Sequence, residues 1–188
     1  MKFANLKHFQ IMVIGSAMAF LAGCAYQTPA ISSSARPDNK TAILFGRFDI
    51  KYSFAYESYL FLWVQNLDTH KAVYIYFDQS QPVYGVKVTP GRYQVTGFVG
   101  VFRGGHIKGR RTFPSSSRFT LPFQASAGSE IYLGDYSAKL TYDSVIYEWR
   151  MNSVSNNIVG TTEEFDRKFP NLTAPPTAPW LESRTDDY

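Results

Sequence analysis

The sequence predicts a mainly β fold, an antiparallel β-sandwich of about seven to eight strands with one short C-terminal helix. Three observations lead there. Segments rich in β-branched and aromatic residues recur at roughly ten-residue intervals from Ala42 to Arg150. Several alternate apolar and polar residues, the period of a strand with one buried face. The breaks between them are turn formers, with no helical period in the gaps. A closed barrel is the alternative architecture. An outer-membrane pore is disfavoured, because the segments lack a sustained lipid-facing alternation.

Residues 1–23 read as a signal peptide. Lys2 and Lys7 make a positive start, and Ile11 to Ala22 form an apolar stretch shorter than the roughly 20 residues a membrane-spanning helix needs. Leu21-Ala22-Gly23-Cys24 follows and resembles the lipobox of bacterial lipoproteins. The resemblance implies cleavage before Cys24, a thioether from its sulfur to diacylglycerol, and acylation of the new amino terminus with a palmitate-type chain. Each buried methylene contributes about 0.8 kcal/mol, so several chains form a stable lipid-anchor. Cys24 is the sole cysteine, which leaves no disulfide within the chain although an exported compartment permits one. Residues 24–41 read as the lipidated N-terminus and a flexible tether, polar and unpatterned, with a reach of roughly 55 Å when extended. In the enterobacterial lipoproteins it resembles, aspartate after the cysteine retains the protein in the inner membrane. Ala25 therefore implies a lipid-anchored protein delivered to the outer membrane, and the domain is expected to face the periplasm.

The sandwich is expected over 42–160, with strands near 42–52, 57–66, 72–78, 83–88, 92–102, 117–124, 130–136 and 139–150. Tyr59 to Val64 is apolar on both faces, as in a central strand covered on two sides. Alternation places Tyr93, Val95, Val99 and Val101 on one face with Gly97, and Phe119, Leu121 and Phe123 on another. Asn66 to Thr69, Asp78 to Pro82 and Ala127-Gly128-Ser129 are turns, and Thr89-Pro90-Gly91 suits a type II turn. Over 161–188, Thr161 and Glu164 make a capping box, with Glu163, Glu164 and Asp166 near the positive helix end and Arg167 and Lys168 near the negative one. Phe165 and Phe169 share a face that docks on the sandwich. Pro170 ends the helix. Pro175, Pro176 and Pro179 make an extended tail, with Trp180 expected to pin it to the domain and a partner contact as the alternative.

Val88-Thr89-Pro90-Gly91-Arg92-Tyr93-Gln94-Val95 carries a Pro-Gly-x-Tyr signature. Ala127-Gly128-Ser129-Glu130-Ile131-Tyr132-Leu133-Gly134-Asp135 follows it. With the lipobox, this pairing resembles small bacterial lipoproteins that carry a prealbumin-like, or carboxypeptidase-regulatory-like, sandwich. The resemblance implies the fold and the anchoring and is nearly silent on activity, since fold alone does not license function.

Hydrophobic residues are 45% and charged residues 18% of the chain, a globular rather than disordered composition. The net charge of +4 owes two units to Lys2 and Lys7, and nucleic acid is disfavoured as a partner on so modest a charge. No catalytic residues are assigned: Gly-x-Ser-x-Gly is absent, and His8, His70 and His106 have no nucleophile at a telling spacing. No metal or cofactor is expected, because no His or acid spacing suits a ligand set. Glu163-Glu164 and Asp186-Asp187 are a helix start and a solvated terminus; Asp135 and Asp143 are carboxylates that strand pairing could bring face to face. Asn171-Leu172-Thr173 matches a glycosylation sequon without meaning in a bacterial setting.

Two binding features remain. The glycine-rich loop with Arg103, His106, Lys108, Arg110 and Arg111 offers positive charge to anionic lipid or an acidic partner. The aromatic residues Tyr52, Tyr56, Tyr74 and Tyr76, with Phe54, Tyr59 and Tyr84 nearby, offer a face for a protein or a sugar. The expected function is a non-enzymatic envelope lipoprotein whose sandwich is a protein-interaction or structural module. A carbohydrate- or peptidoglycan-binding module using the tyrosines is the alternative.

Overall fold

The computed structural model describes residues 28–52, 58–77, 80–102, 108–115, 117, 120–143 and 146–178, with the backbone alone at 52, 58, 102, 108–109, 140–143 and 146–148. Among these, the strands are β1 (Ala42–Tyr52), β2 (Ser58–Asn66), β3 (Ala72–Tyr76), β4 (Val83–Val88), β5 (Gly91–Phe102), β6 (Lys108–Thr112), β7 (Phe123–Ala125), β8 (Glu130–Asp143) and β9 (Ile146–Ser155). One helix, α1, spans Ile158–Lys168. The first sheet has the order β4-β1-β8-β9, and the second β3-β2-β5-β6 with β7 also against β5. They face each other across one core, the expected sandwich.

Alternation builds that core. Leu44, Phe48 and Ile50 of β1 point inward to meet Leu60, Leu62 and Val64 of β2 and Tyr93, Val95 and Phe98 of β5. The rings of Phe48 and Phe77 meet edge to face at 3.9 Å. Neighbouring strands are antiparallel except β1 and β8, which run parallel from Ile43↔Glu130 to Tyr52↔Leu140. The chain crosses to the second sheet between them, and parallel neighbours require such a crossover.

Register departs from simple alternation at β5. Trp63 pairs with Gly97 and Val64 with Val95, so Thr96 is an extra residue in a β-bulge. Tyr93 and Val95 therefore face the core while Val99 lies with Gly97 on the outside, correcting the single face expected for them. Of the expected 117–124 strand, only Phe123 and Gln124 pair among the described residues, continued by Ala125. Thr120 is tied into a turn instead, its hydroxyl donating to the Ser117 carbonyl at 2.7 Å, and Leu121 is exposed. No break divides 130–136 from 139–150 as expected. Ser137 and Ala138 both pair with β1, and the hairpin partner begins at Ile146. Asp135 and Asp143 lie on this one strand, roughly 26 Å apart at 3.3 Å per residue, and do not face each other.

The outer face of the first sheet is closed by α1. Phe165 and Phe169, both buried, pack on Ile43, Phe45, Val83 and Tyr132, forming a second apolar cluster with Leu172. The shared face expected for this phenylalanine pair is correct, but the capping box is not. The helix starts one turn earlier, after Asn157. Thr161 lies inside it, fully buried, and donates its hydroxyl to the Asp135 carboxylate at 2.8 Å. Glu164 pairs with Arg47 across the interface. Lys168 donates to the Val83 carbonyl at 2.6 Å.

Beyond the helix, Thr177 exchanges backbone hydrogen bonds with Glu130 and Tyr132, covering the part of the β8 edge that β9 does not reach. Trp180 lies outside the described residues. The Glu130 side chain, 3% exposed, accepts the Ala174 N–H at 3.3 Å. Burial pushes its carboxyl above the ordinary value of 4.5, with Asp166 adding repulsion and the Ala174 bond opposing. A carboxyl raised in the folded state holds its proton more tightly there than in the unfolded chain. Stability is therefore highest below about pH 4.5 for this group and falls as pH rises through the raised value. Glu130→Gln keeps an acceptor for Ala174 and is expected to raise the melting temperature at pH 7 while leaving it unchanged at pH 4. Equal shifts at both values would refute this.

Residues 28–41, expected as a free tether, lie along the sandwich. Thr28 pairs with both backbone groups of Tyr74, at 3.0 Å to its carbonyl and 3.2 Å from its N–H. Ala30 bridges Val86, and the Ile31 N–H donates to the Gly85 carbonyl at 2.9 Å. Asp38 accepts from Lys87 and from the N–H groups of Lys40 and Thr41, each at 2.8 Å. These bonds, Lys87 first, hold its carboxyl well below the usual range. A composition that looked unpatterned is ordered by the open edges of β3 and β4, whose backbone groups need partners.

Candidate binding face

The two outer faces differ. On the first sheet, α1 and the flanking segments cover the apolar residues. On the second, Tyr59, Phe61 and Trp63 alternate outward along β2, with Tyr76 opposite Phe61 and Tyr74 opposite Trp63 on β3. Tyr76 packs at 5.7 Å from Tyr59 and 5.5 Å from Phe61, tilted by 53° and 44°. Tyr59 is 37% exposed while Phe61 is buried, so the cluster has a solvated end and a dry middle. The stretch read as a strand covered on both sides is thus half of an aromatic surface, and the doubly covered strands are β1 and β8.

Arg110 completes this face. It sits on β6 opposite Val99, and its guanidinium lies over the Trp63 indole at 5.1 Å and donates to the Tyr74 hydroxyl at 3.4 Å. Gly97 stands between Trp63 on β2 and Thr112 on β6, and having no side chain it lets the β6 backbone come close. A methyl there would meet the Arg111 carbonyl oxygen at 2.0 Å. A guanidinium over an indole contributes about 0.5–1 kcal/mol when exposed and more when dry. The Trp63 Nε1 is buried with no hydrogen-bond partner among the described residues.

The expected sites are only partly assembled. Arg110 and Arg111 are on a paired strand rather than a flexible loop, and alternation sends them to opposite faces of β6: Arg111 pairs with Phe98, whose ring faces the core. They do not form one patch. Lys108 is the first residue of that strand, its side chain outside the described residues, as are Arg103 and His106 entirely. Tyr74 and Tyr76 are together as expected, but Tyr52 ends β1 in the other sheet, and Tyr84 is buried in the core against Phe48. Tyr56 and Cys24 lie outside the described residues. Phe61, Trp63 and the arginine contact were missed as site residues; the alternation of Tyr59, Phe61 and Trp63 was the available signal.

A second polar cluster lies under α1. Asp135 accepts the Tyr132 hydroxyl at 2.7 Å and the Thr161 hydroxyl, and the Asn157 N–H donates to Tyr132. Burial pushes the Asp135 carboxyl and the Tyr132 phenol up from their ordinary values, the two hydroxyl donors acting against the shift on Asp135. Its partners bind it on both sides, so its role is to fix the helix to the sheet. Among the described residues no three His, Cys, Asp or Glu side chains are grouped for a metal.

No protein-family model matches this chain, and no curated protein sequence is similar to it.

Proposed function

We propose that the chain is a lipid-anchored, non-enzymatic protein-interaction module of the bacterial cell envelope, held at the outer membrane through Cys24 and contacting its partner through the outer face of the β3-β2-β5-β6 sheet. The observation that carries this reading is the inequality of the two faces. One is closed by a helix of the same chain, while the other aligns Tyr59, Phe61, Trp63, Tyr74 and Tyr76 beside Arg110, with Tyr59 and Arg110 exposed. Tyr, Trp and Arg are the residues that dominate binding energy at protein interfaces. The tilts between the rings make a relief that suits a shaped protein surface better than a flat sugar. The lipobox resemblance supports the anchoring, and Ala25 supports the outer membrane.

The test is photocrosslinking from Tyr59 in intact cells carrying the wild-type chain, Arg110→Ser or Cys24→Ser. The wild type is expected to capture a discrete envelope protein. Arg110→Ser should weaken capture about tenfold while costing only about 1 kcal/mol of stability, the worth of its contact with Trp63. Cys24→Ser should leave the precursor unprocessed and off the membrane. Capture unaffected by Arg110→Ser would defeat the face; normal processing of Cys24→Ser would defeat the anchor. Retention on purified sacculi with no protein captured would move the reading to the carbohydrate-binding alternative.

A further inference from the structure

We infer that the edge formed by residues 28–41 with β3 and β4 is the membrane-facing side of the domain, its partner the anionic headgroup surface of the bilayer. The inference rests on the anchoring through Cys24 proposed above. The argument is one of length. The chain is fixed from Thr28 onward: Thr28 pairs with Tyr74 on the edge of the second sheet, and Ala30 and Ile31 pair with Val86 and Gly85 on the edge of the first. The Ile31 side chain packs into the cluster under α1, and Lys87 reaches the Arg36 carbonyl and the Asp38 carboxylate.

Only Ala25, Tyr26 and Gln27 separate Cys24 from Thr28. Four Cα steps span at most about 14 Å, against the roughly 55 Å of a free tether. The headgroup layer itself is roughly 6 Å thick on each side of the hydrocarbon. A domain fixed at Thr28 therefore has that end of the chain within roughly 8 Å of the headgroup layer.

The charge along this edge is complementary. Arg36, Lys40 and Lys71 are exposed there, while Asp38 is paired with Lys87 and Asp68 with Arg92. Cations held within a Debye length of about 8 Å of an anionic surface still feel it. Both sheets would then stand on edge against the bilayer, with the aromatic face directed along the membrane and open to a neighbouring envelope protein. The β9 edge would be directed away, three strand spacings or roughly 14 Å beyond β4.

The test uses the mature acylated chain in vesicles of phosphatidylethanolamine and phosphatidylglycerol containing a headgroup-spin-labelled lipid. Because acylation occupies the sole native cysteine, a fluorophore can be placed at one introduced thiol: Ser34→Cys or Ala72→Cys on the near edge, Asn152→Cys or Ser153→Cys on β9. Near-edge labels are expected to be quenched at least twofold more strongly. Inserting ten Gly and Ser residues between Gln27 and Thr28 should erase most of that difference. Acylated protein with equal quenching at both edges, or stronger quenching at β9, overturns the orientation alone. Absence of acyl mass on Cys24 overturns the anchoring and the orientation together.

Discussion

Phe165→Ala is expected to destabilise the protein by about 3–5 kcal/mol, the cost of removing a large buried aromatic side chain. At roughly 2–4 °C per kcal/mol for a chain of this size, the melting temperature should fall by about 6–20 °C. Phe165 is fully buried, with its ring centroid 4.2 Å from Phe45 and 4.8 Å from Phe169. Its removal leaves a cavity in the cluster that holds α1 on the first sheet, and loosens the segment that pairs with Glu130 beyond it. The opened sheet face should also bind a hydrophobic dye. Val159→Ala, at an exposed position of the same helix, is the control and should change stability by less than about 0.5 kcal/mol. Thermal unfolding followed by circular dichroism measures both. A loss below 1 kcal/mol for Phe165→Ala would mean that the helix is an appendage.

Tyr93→Ala is expected to cost a similar about 3–5 kcal/mol, and Tyr93→Phe about 1 kcal/mol. The ring is buried and stacked on Phe123 at 6.1 Å. Its hydroxyl donates to the Thr89 carbonyl at 2.7 Å, closing the turn that opens β5 in the manner of the tyrosine corner of other β-sandwiches. Phenylalanine keeps the packing and loses only the hydroxyl's bonds to the Thr89 carbonyl and hydroxyl, so the difference between the two variants separates burial from turn closure. Equal losses would show that the hydroxyl, and not the ring, holds the corner. The Pro-Gly-x-Tyr motif therefore has a physical meaning apart from any family: the glycine, at φ 158°, allows close approach of Asn66, and the tyrosine locks the turn.

Much of the architecture was legible because strand signals are local. The bounds of β1 and β4 follow from β-branched and aromatic residues between turn formers, and the Phe165–Phe169 docking face follows from a four-residue spacing. The errors share one origin. Alternation along β5 put Val99 and Val101 on the same face as Tyr93 and Val95, and one extra residue at Thr96, visible only in its pairing with β2, moved them to the other face. Thr161 carried the signature of a helix cap, yet the Asp135 carboxylate across the interface takes its hydroxyl.

The candidate site divides in the same way. By itself the sequence determined the β class, the dominant turns, the amphipathic helix and the presence of aromatic and basic residues in the right stretches. Those depend on neighbours a few residues apart and on backbone preferences. Only the tertiary structure decided which aromatic residues meet: Tyr76 packs on Tyr59 and Phe61 and Tyr74 stands opposite Trp63, while Tyr84 packs on Phe48 in the core. It also separated Arg110 from Arg111 and tied residues 28–41 to two sheet edges. Each of these is a matter of register or of unpaired backbone groups seeking partners far along the chain. A shift of one residue in pairing turns every side chain to the opposite face, and no local pattern records where that shift occurs.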